Sequence, residues 1–201
     1  LRARGPSPEH AATCIYLRNP PHVMGAGYTQ KLAQEMTVDL LYLRELVLQA
    51  AEGDPGNWYE ARLVSKGVDF GIYAALKRPN GGNSVEGVCG TLPGFEEDCS
   101  SINGVSHDFV VRPFQWKGIA SNMRNFVRDA LNFHFGMQPV EAVPGASDAD
   151  QDGVHNEVSV GEVTALTLFA LSNRPPIQRP ASNQIEASLL ARGQEIFEQD
   201  A

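Results

Sequence analysis

The chain has few basic residues and no long apolar run. Its 201 residues include 16 basic and 24 acidic side chains, which gives a formal net charge of −8. Because no Lys/Arg cluster could neutralise a series of phosphates, the composition argues against a nucleic-acid partner. The longest apolar stretch, residues 163–171, contains two threonines and is too short to cross a bilayer. We therefore expect no nucleic acid and no membrane span.

Cysteine is scarce, with only Cys14, Cys89 and Cys99 present. No C-x-x-C-H motif occurs, so this stretch cannot attach haem covalently by itself. Cys89 and Cys99 bracket a loop rich in glycine, proline and acidic residues. Closing that loop with a disulfide in an oxidising compartment would remove conformational entropy from the unfolded chain. We predict a disulfide between Cys89 and Cys99. The alternative is that they are two unrelated thiols, and in either case Cys14 has no predicted partner in this sequence.

The first half of the chain predicts a long helix followed by strands. Apolar residues recur at three- and four-residue spacing from Thr29, a predicted N-cap, to Val47, before the Gly/Pro turn at residues 53–56. Residues 58–112 then alternate and are rich in β-branched and aromatic residues, with Phe109 to Val111 among them. We interpret them as a small antiparallel sheet with a long loop.

Three further helices are predicted after the sheet. One covers residues 119–135, is ended by Gly136, and is expected to point His134 toward the buried side. Ser159 and Glu162 form a capping box that opens the next, and the last begins after Ser182. The expected inner face of the capping-box helix consists of Val163, Leu166, Phe169 and Ala170. Helix dominates, so the residues predict a mainly α fold with a small antiparallel β insertion.

An acidic loop carries the strongest motif. Asp148, Asp150, Asp152 and Gly153 occupy positions 1, 3, 5 and 6 of a calcium loop, where carboxylates supply hard oxygens and glycine allows a sharp turn. Three nearby carboxylates repel one another unless a cation is present. The alternative is a solvated acidic turn at the start of a helix. We favour calcium.

The closing ligand of this loop departs from the regular motif. Position 12, normally a bidentate glutamate, is Ser159. Glu162, or failing it Glu157, is therefore the candidate for the closing carboxylate, and Asn156 lies nearby. The predicted metal ligands are Asp148, Asp150, Asp152, Asn156, Glu157 and Glu162.

A tryptophan, a histidine and a methionine are the remaining chemical candidates. His134 and Met137 lie three residues apart at a predicted helix end, where they could offer ligands to a metal or haem iron. Taken alone, they fit better as a hydrogen-bonded core histidine and a gap-filling methionine. Trp116 lies between the predicted sheet and the next helix.

Four blocks of sequence follow one another in order across most of residues 18–176. They are Arg18-Asn19-Pro20-Pro21-His22-Val23-Met24-Gly25-Ala26-Gly27, Val111-Arg112-Pro113-Phe114-Gln115-Trp116-Lys117-Gly118, Phe133-His134-Phe135-Gly136-Met137-Gln138 and Gly161-Glu162-Val163-Thr164-Ala165-Leu166-Thr167. Together these blocks resemble the di-haem oxidoreductase family, a relative of the bacterial di-haem cytochrome c peroxidases and MauG.

The resemblance implies a mainly α, cytochrome c-like architecture with two haem c groups and a calcium site. Residues 1–176 would be the inter-haem region, and residues 177–201 the start of a second cytochrome c-like lobe. Residues 192–197 are similar to the helix that precedes a haem-attachment motif. Trp116 would serve electron transfer between the haems, and His134 or Met137 would face a haem.

The expected function is that of a fragment of an exported, periplasmic di-haem oxidoreductase with peroxidase-like electron transfer. Both ends of the chain look cut, so we expect the full-length protein to be the enzyme and the fragment alone to be inactive. Its partners would be an electron-donor protein or small-molecule reductant and a peroxide-like or unknown substrate. The alternative is a calcium-stabilised extracellular binding or structural module without redox chemistry.

Overall fold

A computed structural model describes residues 22–79, 92–143, 148 and 151–200 of the chain. Four helices and three strands follow one another along it. They are α1 (Ala26–Gly53), β1 (Trp58–Ser65), β2 (Val68–Lys77), β3 (Phe95–Asp98), α2 (Met123–Phe135), α3 (Val160–Ser172) and α4 (Gln184–Asp200).

The strands form one antiparallel sheet in the order β1-β2-β3, and α1 packs across it. Alternation along the strands sends Leu63, Phe70, Tyr73 and Ala75 into the core, where they meet the buried face of α1. That face is made of Met36, Leu40, Val47, Leu48 and Ala51. Phe109, fully buried, closes the core from the chain that follows β3.

A second, smaller core joins the start of α1 to α2 and α3. It contains Ala26, Phe114, Ala120, Met123 and Ala170. The two helix ends approach so closely that a Cβ on Gly27 would lie 2.5 Å from the Leu171 carbonyl oxygen. Only glycine fits that contact. Because α1 also packs against the sheet, it connects the sheet to α2 and α3.

The expected mainly α, cytochrome c-like architecture is wrong. Helix accounts for 44% and strand for 16% of the described structure, which is a mixed α/β arrangement. The reason is that the sheet is no insertion on a helical core. It forms one of the two layers of the larger core, with Leu63 and Tyr73 completely buried beneath α1.

Several local predictions need correction. The N-cap of α1 is Gly25, with φ of 71°, whereas the Thr29 hydroxyl lies inside the helix and donates to the Gly25 carbonyl oxygen at 3.3 Å. Phe109 to Val111 form no strand, because Phe109 has φ of 61° and turns the chain. Leu166 and Phe169 of α3 are exposed; the buried residues of that helix are Val163, Thr167 and Ala170.

Helix α4 packs against no other helix or strand of the described chain. Its apolar residues, Ile185, Leu189, Leu190, Ile196 and Phe197, are all exposed. No helix within the described ranges is long and apolar enough to cross a membrane.

Candidate functional site

Trp116 is presented by a tight loop before α2. Phe114 and Ala120 exchange backbone hydrogen bonds of 3.2 Å in both directions, and the Gly118 N–H donates to the Gln115 carbonyl at 3.2 Å. Gln115, Lys117 and Gly118 all have positive φ, at 64°, 66° and 62°. Such angles are strained for non-glycine residues and cluster at functional sites.

The loop holds the indole ring outward. Trp116 is 59% exposed, and Lys117 Nζ lies 4.6 Å from the centroid of its ring. The neighbouring Gln115 Nε2 donates to Asp129 Oδ2 at 3.3 Å, which ties the loop to the middle of α2. Trp116 is therefore an exposed residue on a loop that Gln115 ties to α2.

The end of α2 is apolar and open to solvent. Gly136, with φ of 72°, caps the helix as predicted, and its N–H donates to the Asn132 and Leu131 carbonyls. His134 is exposed, so the prediction that it points to the buried side is wrong; its ring stands edge-on to Phe133 with centroids 5.2 Å apart. Phe133, Phe135 and Met137 are 77%, 74% and 37% exposed. We call Phe133, His134, Phe135 and Met137, at the end of α2, the exposed aromatic surface.

The chain leaving α2 pairs with the chain leaving the acidic loop. Gln138 donates its N–H to Glu157 Oε2 at 2.6 Å. Pro139 and Val158 form a parallel bridge, in which the Val140 N–H donates to the Val158 carbonyl at 3.0 Å. The structure thus brings the end of the acidic loop next to Met137, although many residues separate them in sequence.

The acidic loop folds around its first carboxylate. Asp148 accepts the backbone N–H groups of Asp152 at 3.2 Å and Gly153 at 2.9 Å, and Asp152 accepts that of Val154 at 2.7 Å. Gly153 has φ of 88°, which is the sharp turn predicted for it. Asp150 lies outside the described residues.

The other predicted ligands have structural partners. Glu162 accepts from the Ser159 N–H and hydroxyl, both at 2.8 Å, and the Ser159 hydroxyl accepts the Glu162 N–H, which confirms the capping box. The backbone N–H and hydroxyl of Ser159 hold the pKa of Glu162 below its ordinary value. Asn156 has φ of 56°. Within the described ranges, no group of three or more His, Cys, Asp or Glu side chains is placed to hold a metal.

A cavity of about 300 Å³ lies between the start of α1 and the Trp116 loop. His22, Thr29, Phe114, Gln115, Met123 and Phe126 are among the residues that line it. His22 was expected to be a loop residue, and it lies in an irregular segment before α1.

One ion pair that sequence reasoning missed fixes α2 against its neighbours. Arg124 Nε donates to Glu141 Oε2 at 3.0 Å, and its Nη1 donates to Thr164 Oγ1 of α3 at 3.0 Å. The hydrogen bond from Arg124 lowers the pKa of Glu141. Because these partners lie 17 and 40 positions away, no local pattern signals the contact.

A buried polar cluster within the larger core was also missed. Glu97, 3% exposed, accepts from Arg44 Nη2 at 2.7 Å and from the Tyr73 hydroxyl at 2.6 Å. Burial, reinforced by the hydrogen bond to Glu97, raises the pKa of Tyr73. Among the described residues, Glu97 Oε2 and Arg44 Nε are buried and have no hydrogen-bond partner. The cluster ties α1 to β2 and β3.

Cys99 is buried and disulfide-bonded. Cys89 lies outside the described residues, so its pairing with Cys99 stays a prediction.

Comparison of the chain with family models, with curated proteins and with solved structures found no match.

Proposed function

We propose that the chain is the inter-haem region of an exported di-haem c-type oxidoreductase with peroxidase-like electron transfer. The observation that carries this proposal is Trp116, a ring 59% exposed between two residues of positive φ. Holding a large aromatic ring in solvent on a strained loop costs stability, which is typical of a functional residue. The ordered blocks of resemblance support a place between the two haem lobes.

The residues of the exposed aromatic surface fit a haem neighbour. Phe133, Phe135 and Met137 offer apolar contact, and His134 and Met137 offer imidazole and thioether donors that haem iron accepts. Haem c would supply one-electron chemistry and be attached through motifs outside these 201 residues. His134 or Met137 would face the iron, and Trp116 would pass electrons.

The test uses the haem-loaded protein with the sequence on both sides of this chain. Trp116→Phe should slow internal electron transfer and leave the optical spectrum unchanged. His134→Ala and Met137→Ala, made separately, should show which residue affects haem ligation or potential. If none of the three variants changes transfer rate, spectrum or potential, the assignment fails.

We further propose that Asp148, Asp150 and Asp152 bind one calcium ion. The turn around Asp148 supports this proposal, because the Asp148 carboxylate accepts the backbone N–H groups of Asp152 and Gly153 and so closes the acidic loop on itself. Calcium that binds only the folded state would raise the free energy of unfolding by about 2.7 kcal/mol when its free concentration is a hundred times the dissociation constant. Chelation should therefore lower the melting temperature.

Matched variants separate calcium binding from general charge effects. Asp150→Ala should abolish most of the calcium-dependent shift, whereas Asp200→Ala, outside the loop, should leave it intact. If chelation leaves the melting temperature unchanged and calorimetry detects no calcium uptake, the loop is only an acidic turn.

The disulfide of Cys99 supports an exported, periplasmic location, because disulfides persist in oxidising compartments. The partners proposed for the full-length protein are an electron-donor protein or small-molecule reductant and a peroxide-like substrate.

The second candidate function is a calcium-stabilised extracellular module without redox chemistry. The Asp148 turn fits this module as well as it fits the oxidoreductase, since we propose a calcium ion for both. The flanking gene sequence discriminates the two. C-x-x-C-H motifs near both ends support the oxidoreductase, and an adhesion or carbohydrate-binding context supports the module.

A further inference from the structure

The side chain of Lys117 covers part of the Trp116 ring. Its ammonium nitrogen lies 4.6 Å from the ring centroid. A cation within about 6 Å of an aromatic face is attracted by the ring quadrupole, most strongly for tryptophan. The Trp116 residue is 59% exposed, so this contact lies at the surface of the protein.

The backbone maintains this pairing under strain. The residues on either side of Trp116, Gln115 and Lys117, both have positive φ, which is uncommon for non-glycine residues. Gly118 cannot be larger, because a Cβ there would lie 2.5 Å from the Arg112 carbonyl oxygen. The hydrogen bonds between Phe114 and Ala120 close the loop. The surrounding structure therefore imposes the backbone conformation of the loop that places Lys117 beside Trp116.

We propose that Lys117 is a positioning residue for Trp116, whose ammonium group orients the indole ring and raises its one-electron oxidation potential. This inference rests on the proposed electron-transfer role of Trp116. In oxidation, the ring gives one electron to a one-electron metal oxidant, which is reduced, and its N–H proton leaves to water. One electron from a reductant and one proton restore the ring.

The charge of Lys117 acts on this step in two ways. It stabilises the electron-rich neutral ring before oxidation, and it repels the cation radical that forms before the N–H proton leaves. For an exposed pair we expect about a threefold change in the oxidation equilibrium. A one-electron couple shifts by 59 mV per tenfold change, so threefold corresponds to about 30 mV.

The experiment uses the 201-residue chain in a Trp58→Phe background, because the chain has 2 tryptophans and Trp116 is then the only one. Photogenerated ruthenium(III) tris-bipyridine is the oxidant. Its electron-exchange equilibrium with the indole, followed by the optical band of the indole radical, gives the potential. Fluorescence anisotropy gives the ring mobility.

Lys117→Gln should make Trp116 about threefold easier to oxidise and its ring more mobile. Lys117→Arg should restore both, since guanidinium also stacks on tryptophan. Lys66→Gln removes an equal charge from the turn between β1 and β2, and should change neither. The proposal is overturned if Lys117→Gln matches the Lys66→Gln control, or if Lys117→Arg behaves like Lys117→Gln.

This result is separable from the proposed function because it needs no haem. If Lys117 tunes Trp116 in the isolated chain but Trp116→Phe does not slow electron transfer in the haem-loaded protein, the proposed function alone fails.

Discussion

Replacing Glu97 by leucine should greatly lower the free energy of unfolding, because the Glu97 carboxylate is the centre of the buried cluster. The variant removes the acceptor of Arg44, 2.7 Å away, and of the Tyr73 hydroxyl, 2.6 Å away. Leaving one member of a buried ion pair alone costs about 3–5 kcal/mol. The Arg44 side chain is 25% exposed and can reach water, so we take the lower end of that range. The stranded Tyr73 hydroxyl adds about 1 kcal/mol.

We therefore expect Glu97→Leu to lower the free energy of unfolding by about 4 kcal/mol in urea denaturation. A second variant, Arg44→Met combined with Glu97→Leu, removes both charges and should recover much of the loss, because apolar pairs often replace buried ion pairs at little cost. The reasoning is refuted if Glu97→Leu costs less than about 1 kcal/mol, or if the double variant is no more stable than the single one.

Three further outcomes follow from local geometry. Ser159→Ala removes the N-cap of α3 and should cost about 1 kcal/mol in thermal unfolding, with Ser188→Ala, inside α4, as the exposed control. Gly118→Ala should destabilise the loop and change Trp116 fluorescence, whereas Gly193→Ala, which meets no atom within 4 Å, should not. Because the folded pKa of Glu162 is lowered, its contribution is present above the ordinary glutamate pKa and lost as pH falls through the folded value. Circular dichroism during acid titration should show this loss, and Glu162→Gln should not show the same titration.

The elements carried by local signals could be predicted from sequence. The capping box at Ser159 and the glycine stop at Gly136 each depend on residues within one turn, and both are confirmed. The turn at Gly153 is equally local. Such features need no knowledge of the rest of the fold.

The fold class could not be predicted in the same way, because it depends on which layer supplies the core. The strand Phe95–Asp98 contains three acidic residues, and nothing local shows that Glu97 is buried. Its burial depends on Arg44, 53 positions away. The sheet was therefore expected to be an insertion, whereas it forms one layer of the larger core.

In the candidate site too, local sequence predicts some features and packing decides the others. Helical periodicity placed His134 on the stripe of Met123, but Met123 is buried whereas Phe133, His134 and Phe135, in the last turn of α2, are exposed. Leu166 and Phe169 of α3 were expected inside for the same reason. Periodicity defines a face, and only the packing partner decides how far along the helix that face is buried.

The most direct test of the proposed function is the number of covalently bound haems per polypeptide. It is measured by pyridine haemochrome assay and denaturing mass spectrometry on the full product of the gene, expressed with haem-attachment machinery. The proposal predicts two haem c groups, both retained in Trp116→Phe while electron transfer between them slows. A product with no covalent haem, or with two haems whose electron transfer is unaffected by Trp116→Phe, would contradict it.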